Sequence, residues 1–354
     1  MKKNLLISTG GSGGHVIPAI ILHEHLINDR NIIFSSDKRG LEYFNNSKYQ
    51  FVIINTPKLD NIFILPINLI IIFFLTLKSF FLLKRKKIEE VFSTGGYMSL
   101  PVIIAARLLN LKIYLFEPNL VLGRGNRYFL NICKKIFCYT NQIKNFPSPF
   151  KYKITIINPL VRKHVYQFKS NYIDKNKFTL LIVGGSQGAN IFNKNLKNSL
   201  VNISKKIPIK VIQQTNKKNI NSLSQFYSKN DIENKIFYFD ENFIESVQSS
   251  DLCITRSGAT TLAELSVVNI PFIAVPLPTS KDNHQLENAS FYKKMDCCWI
   301  IEENDFEEKI EDMLENIINK KSDYLNKKEN LKKLNYQNTW NNVNQKILEI
   351  INEN

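Results

Sequence analysis

One short pattern occurs twice in this chain and limits what it can fold into. Leu5-Leu6-Ile7 runs into Gly10-Gly11-Ser12-Gly13-Gly14-His15 and an apolar-periodic stretch to Leu26, and 174 residues later Leu180-Leu181-Ile182-Val183 runs into Gly184-Gly185-Ser186-Gln187-Gly188-Ala189 and a stretch starting near Asn190. Each copy predicts a strand, a glycine turn and a helix. The chain holds only 13 glycines, far below the usual ~7% of residues, yet nine lie in these two loops and in a third, Thr94-Gly95-Gly96-Tyr97. Glycine is concentrated where the backbone must take φ > 0 or let a ligand come close. A helix opening from such a loop points unpaired N–H groups into it, and the expected guest is an anion.

Between these loops short apolar runs alternate with helical stretches. Strands are expected at residues 31–36, 51–55, 88–93, 113–116, 136–139, 154–157, 178–183, 210–214, 236–239, 252–255 and 271–275, and helices over residues 303–354. This rhythm predicts an α/β chain with right-handed βαβ crossovers and parallel sheets. At 354 residues and about 150 per domain, two domains are expected. Their bounds are placed at 1–160 and 161–335, and a final amphipathic helix within 336–354 needs an apolar partner, Val343, Ile347 and Ile350 or Ile351 forming its stripe.

One segment departs from this texture. Residues 62–83, IFILPINLIIIFFLTLKSFFLL, begin at Ile62 and close on Lys84, Arg85, Lys86 and Lys87. A membrane span needs about 20 apolar residues, and this run reaches that only by including Lys78, with Pro66 and Asn68 near its start. A crossing would also put the βαβ units before and after it on opposite sides of a bilayer. An interfacial helix over residues 62–87, its basic end at anionic head groups, is the preferred expectation; a buried core helix is the alternative. The net charge of +16 is weak evidence of a partner, because Lys, Asn and Ile are abundant throughout. No nucleic-acid motif is present, so nucleic acid is not expected. Cys133, Cys138, Cys253, Cys297 and Cys298 form no CxxC pair and no metal-ligand spacing. They suggest buried thiols in a reducing compartment. Met1-Lys2-Lys3 followed at once by a strand is unlike a signal peptide, which places the protein in the cytoplasm.

The first loop lacks the Lys-Ser/Thr of a P-loop, and Val16 stands where a dinucleotide fingerprint needs its third glycine. His15 puts a titratable imidazole at the loop's mouth, either as a general base or as a capping residue. In the second loop Ser186 and Gln187 can join backbone N–H groups on a diphosphate. After the strand at 252–255 come Arg256-Ser257-Gly258-Ala259-Thr260-Thr261-Leu262-Ala263-Glu264. Thr260 or Thr261 can cap a helix there, with Glu264 in its first turn, where a carboxylate accepts ribose hydroxyls or completes a capping box with Thr261. Asp282, Asn283, His284 and Gln285 form a polar cluster suited to sugar hydroxyls.

The motifs GGSGGHVIPA, STGGY, FEPN, LVR, LIVGGSQGAN, RSGATTLAE and KDNHQLENA, in this order over nearly the whole chain, closely resemble the MurG family of bacterial glycosyltransferases. The resemblance implies a GT-B architecture, two Rossmann-like domains facing a cleft, with the last helix returning to the first domain. It implies inverting, metal-independent and cofactor-independent transfer of N-acetylglucosamine from UDP-N-acetylglucosamine to the 4-hydroxyl of the muramyl sugar of lipid I, giving lipid II for peptidoglycan at the cytoplasmic face of the inner membrane. Carried over by motif, Arg162 and Ser186 would contact the donor diphosphate. Ala259, Thr260, Thr261, Leu262, Ala263 and Glu264 would hold the nucleoside, with Glu264 on the ribose, and Gln285 would meet the sugar. Ser12, Gly13, Gly14 and Asn119 would complete the donor site, and His15 would be the base. Gly95, Gly96, Tyr97, Glu117 and Asn126 would lie on the acceptor side, and the first two glycine loops would face the acceptor diphosphate. The chain departs from the family where HEQN becomes Phe116-Glu117-Pro118-Asn119 and GNPVR becomes Asn158-Pro159-Leu160-Val161-Arg162. Asp240 falls near the residue that holds uracil, and His284 replaces a glutamine.

Overall fold

A computed structural model describes residues 2–44, 48–59, 61–167, 177–184, 190–238 and 243–353. The chain divides into two units, Met1–Leu160 with Thr339–Asn354, and Val161–Asn338. In the first unit β1 (Lys3–Ser8), β2 (Arg30–Ser36), β3 (Phe51–Ile53), β4 (Glu90–Ser93), β5 (Lys112–Glu117), β6 (Lys135–Cys138) and β7 (Ile154–Ile156) form one sheet in the order β3-β2-β1-β4-β5-β6-β7. Every pairing is parallel. The second unit builds its own parallel sheet from β8 (Phe178–Val183), β9 (Ile209–Gln214), β10 (Glu233–Phe237), β11 (Leu252–Thr255), β12 (Phe272–Ala274) and β13 (Cys298–Ile300), ordered β10-β9-β8-β11-β12-β13. In each sheet the chain first moves outward on one side and then jumps back across its first strand. The strand order therefore reverses between β1 and β4, and between β8 and β11, where open α/β sheets leave a crevice at the strands' carboxyl ends.

The continuous apolar runs follow from burial on both faces of a parallel sheet. Side chains alternate along a strand, so Leu5 and Ile7 enter one core layer and Leu6 the other. The first layer holds Val16 and Leu22 from α1 (Gly13–Leu26) together with Val343, Ile347, Ile350 and Ile351 from the last helix, Trp340–Asn352. The second holds Leu82 and Leu83 from α2 (Leu65–Arg85) and Val102 and Ile103 from α3 (Leu100–Leu108). The second unit repeats the scheme, with Leu180 and Ile182 on one side and Leu181 and Val183 on the other. The last helix is also held by polar contacts. Buried Arg30 donates from Nε to Glu90 Oε2 at 2.8 Å and from Nη2 to Asn352 Oδ1 at 2.7 Å, and Tyr114 Oη donates to the Ile351 carbonyl at 3.3 Å.

α2 has an inverted distribution of polarity. Its buried residues are Asn68, Ile72, Thr76, Ser79, Leu82 and Leu83, half of them polar, whereas Ile67, Ile70, Phe73, Phe74 and Phe81 are exposed. The inward hydroxyls of Thr76 and Ser79 donate to the carbonyls of Ile72 and Leu75, and Asn68 Nδ2 to that of Lys58. The helix before which β3 ends and after which β4 begins thus rests a half-polar stripe on the unit and presents most of its large apolar residues outward.

Two sheet-edge strands differ from the sequence expectation. β10 begins three residues earlier than expected, because at the sheet edge its polar residues Glu233, Asn234 and Lys235 need no burial. β13 was not expected at all, three residues being too few to show a period. Ile347→Ala should lower the first unit's stability by about 2–5 kcal/mol, seen as an earlier urea transition of Trp340 fluorescence in a Trp299→Phe background.

Candidate active site

At the carboxyl ends of β1 and β4 the first two glycine loops meet. Gly10 and Gly11 (φ +148° and +80°) and Gly95 and Gly96 (φ +90° and +85°) occupy backbone regions that β-carbon-bearing residues avoid. Thr94 joins the two loops through all three of its polar groups. Its N–H donates to the Ser8 carbonyl at 3.1 Å, its hydroxyl donates to Thr9 Oγ1 at 2.8 Å, and its carbonyl lies 2.8 Å from His15 Nδ1. A carbonyl can only accept, so Nδ1 carries the proton, and in the neutral ring Nε2 holds the lone pair. His15 is the third residue of α1, which Ser12 precedes without a side-chain capping bond. The imidazole is half-buried, packed against the second loop: a Cβ on Gly95 would lie 3.5 Å from His15 Cε1, and one on Gly96 3.6 Å from Cδ2. Ser12 and Gly14 are exposed beside it.

Three further residues of this set behave differently from one another. Glu117, expected on the acceptor side, is buried and bound to its own loop. Its oxygens accept from the Gly123 N–H at 2.7 Å, Asn126 Nδ2 at 3.0 Å, and the Asn119 N–H and Nδ2 at 3.2 and 3.1 Å. Burial raises its pKa above the ordinary carboxylate value even against these donors. Its role is to shape the loop that carries Asn119 and Asn126. Asn126 Nδ2 also donates to the Phe116 carbonyl at 2.9 Å, which fixes the amide orientation, and the amide lies against the second glycine loop: a Cβ on Gly95 would be 3.3 Å from Nδ2 and 3.5 Å from Oδ1. Gly125 brings the start of the short helix Arg124–Phe129 against Gly96, since a Cβ there would be 3.2 Å from the Gly96 backbone.

The sequence reasoning missed Asp37, at the end of β2. Its Oδ1 accepts from the N–H groups of Gly11 at 2.8 Å and Gly40 at 3.0 Å, and Oδ2 from Arg39 Nε and Nη2 at 3.0 and 2.8 Å. Arg39 Nη2 also meets the Tyr97 hydroxyl. An acid just beyond a second parallel strand is the available signal; in a dinucleotide fold it would hold ribose, whereas here the loops occupy it.

In the second unit Arg162 and Glu264 form a two-pronged ion pair, Nε to Oε1 at 2.7 Å and Nη2 to Oε2 at 3.0 Å. Arg162, expected on the diphosphate, therefore orients the carboxylate expected on the ribose. Each carboxylate oxygen keeps a further acceptor site. Glu264 is the sixth residue of the helix Ala259–Val267, not in its first turn, and Gly258 is the N-cap, so neither threonine caps it and no capping box with Thr261 forms. The helix begins at Ala259 because Gly258, extended at φ −69° and ψ 131°, supplies the entering turn. Leu262 and Ala263 belong to the core, while Ala259, Thr260 and Thr261 are half-exposed. Gln285 Oε1 accepts from the N–H groups of Ser257 at 3.2 Å and Leu277 at 3.0 Å, tying together the loops after β11 and β12. His164 is held below the usual imidazole range by burial and then by the Arg162 guanidinium. Ser186, Gln187 and Asp240 lie outside the described residues.

Comparison with known proteins finds the glycosyltransferase family 28 N-terminal domain matching residues 5–138 and the family 28 C-terminal domain matching residues 179–342. The chain is 47% identical, over the full length of both, to the UDP-N-acetylglucosamine--N-acetylmuramyl-(pentapeptide) pyrophosphoryl-undecaprenol N-acetylglucosamine transferase of Pelagibacter ubique. It is 33% identical to the Rickettsia felis protein of the same name, covering 90% of this chain and 91% of that one. Among solved structures, MurG of Acinetobacter baumannii shares the fold with a TM-score of 0.76 at 22% identity, covering 99% of each chain.

The Asp37 cluster has a pH signature. Burial pushes this carboxyl up, but the N–H groups of Gly11 and Gly40 and the Arg39 guanidinium together outweigh it and hold the pKa below the ordinary value. A lowered folded-state pKa contributes stability that is present above the unfolded value and lost as pH falls through the folded one. The stability difference between the wild type and Asp37→Asn should therefore shrink as pH is lowered from about 5 to about 3, measured by urea unfolding at each pH.

Proposed function

Because the chain belongs to glycosyltransferase family 28, we propose that it transfers N-acetylglucosamine from UDP-N-acetylglucosamine to the 4-hydroxyl of the muramyl sugar of lipid I, with inversion, to give lipid II. The observation that carries this reading is the bond from His15 Nδ1 to the Thr94 carbonyl. It leaves Nε2 as the proton acceptor at the point where the first sheet reverses its strand order. As the acceptor O4 forms its bond to the sugar C1, His15 Nε2 takes the hydroxyl proton. The bond from C1 to the UDP phosphate oxygen breaks on the opposite face, converting the α to the β linkage. The donor nucleoside is assigned to the second unit, with Glu264, steered by Arg162, accepting the ribose hydroxyls and Gln285 near the sugar. Thr260 and Thr261 are available to the nucleotide as side chains, Leu262 and Ala263 only through their backbone. Ser12, Gly13, Gly14 and Asn119 remain donor-side assignments of the first unit.

The membrane assignment follows from α2. A helix that buries Asn68, Thr76 and Ser79 and exposes Ile67, Ile70, Ile71, Phe73, Phe74 and Phe81 gains by moving its outer face out of water. β3 and β4, which flank it, are strands of one sheet, so the helix lies in the interface, with Lys84, Arg85, Lys86 and Lys87 at anionic head groups of the cytoplasmic leaflet. Peripheral attachment is the resulting proposal.

His15→Ala should lower kcat by about 10²-fold or more while leaving UDP-N-acetylglucosamine affinity within a few-fold; equal loss of both would remove the base assignment. Glu264→Ala should weaken UDP binding about tenfold or more, a charged hydrogen bond being worth about 1.5–3 kcal/mol. The double variant with Arg162→Ala should be little worse than either single change. Flotation with anionic vesicles should fall when Lys84, Arg85, Lys86 and Lys87 are neutralised and in high salt. Release only by detergent would contradict an interfacial helix. Transfer of labelled sugar to a lipid I analogue tests the reaction itself.

A further inference from the structure

We propose that the Arg39 guanidinium is the first unit's contact for the diphosphate of a lipid-linked acceptor, an assignment that rests on the transfer reading above. Three observations support it. First, the group is oriented in advance: the Asp37 carboxylate, only 7% exposed, holds Nε and Nη2, and Tyr97 lies beside it, the guanidinium carbon 5.8 Å from the ring centre. Second, it is open, with 51% of the side chain exposed, and among the described residues both N–H groups of Nη1 lack a protein partner. Two donors on one nitrogen of a planar, fixed guanidinium suit the oxygens of a diphosphate. Third, it stands beside both glycine loops and is connected to the lipid-facing helix. Asp37 holds the Gly11 N–H, and Tyr97 follows Gly96 directly. From Tyr97 the connection runs to Met98, whose carbonyl accepts from Thr56 Oγ1 at 3.1 Å, and two residues on to Lys58, whose carbonyl accepts from Asn68 in the first turns of α2. The exposed Ile62 and Phe63 lie just before that helix. A diphosphate at Arg39 can thus continue into an apolar tail that enters the bilayer beside α2. Arg39 adds a full charge where the glycine-loop backbone offers dipoles.

The test uses a short-chain lipid I analogue and its monophosphate counterpart, with the full-length protein. Arg39→Ala should raise the KM and Kd of the diphosphate acceptor about tenfold to hundredfold, the range for losing a charge-assisted bond. UDP-N-acetylglucosamine KM should not change, and Arg39→Lys should restore part of the loss. On the monophosphate the penalty should largely disappear, because residue and phosphate are coupled. An equal penalty on both acceptors, or an equal rise in donor KM, overturns the assignment. If Arg39→Ala loses its native circular dichroism, Arg39→Lys and Arg39→Gln carry the same comparison. Flotation on phosphatidylglycerol vesicles without acceptor should be unaffected by Arg39→Ala; a loss would make Arg39 a head-group contact and overturn the proposal. Binding separates the two readings. Arg39-dependent binding of the diphosphate without any transfer removes the transfer reading alone, and transfer insensitive to Arg39 removes this assignment alone.

Discussion

The carbonyl of Thr94 governs the arrangement of the first unit's site. Its bond to His15 Nδ1 joins residues 79 apart in sequence, and it exists because β1 and β4 are neighbours in the sheet. With that bond the imidazole has one orientation and one neutral tautomer. Without it, the ring at the start of α1 would be a solvated side chain free to change rotamer, and a base without fixed geometry loses much of its advantage. The surrounding features support this contact. Gly95 and Gly96 let the second loop lie flat against the ring, Gly125 lets a third segment close on that loop, and Glu117 holds this segment in place from below.

Both units apply the same principle, a buried carboxylate that arranges other groups. Asp37 holds two loop N–H groups and Arg39, Glu117 holds four donors of its own loop, and Glu264 is aligned by Arg162. Asp37 and Glu117 sit at the carboxyl end of a parallel strand or just after it, where loop N–H groups supply donors, and Glu264 lies within the helix that follows β11, where a guanidinium supplies them. The charges are thereby fixed before any substrate arrives, which lowers the reorganisation needed during reaction.

Much of this was legible in the sequence because the signals are local. Glycine clusters mark loops requiring positive φ, and continuous apolar runs mark strands buried on both faces, so the two α/β units and their loops could be placed from residues alone. His15 and Glu264 stood out through their neighbours in the motif. Long-range partners could not be read in this way. Nothing near Arg162 announces that its guanidinium will meet a carboxylate 102 residues later, and nothing near Asp37 shows that a loop 26 residues earlier will occupy it. The apolarity of α2 was plain, but the inward turn of Asn68, Thr76 and Ser79 depends on which face meets the sheet. The polar start of edge strand β10 and the whole of β13 escaped notice because edges tolerate polar or very short segments.

The account depends most on the protonation of one ring. Nitrogen-15 spectra of histidine-labelled protein above the imidazole titration, with the His15 signals identified by their loss in His15→Gln, report which nitrogen carries the proton. The account predicts that Nδ1 is protonated and Nε2 is not, and that the Nδ1 proton exchanges slowly with water. A neutral ring protonated on Nε2, or a fast-exchanging mixture of the two forms, would contradict it.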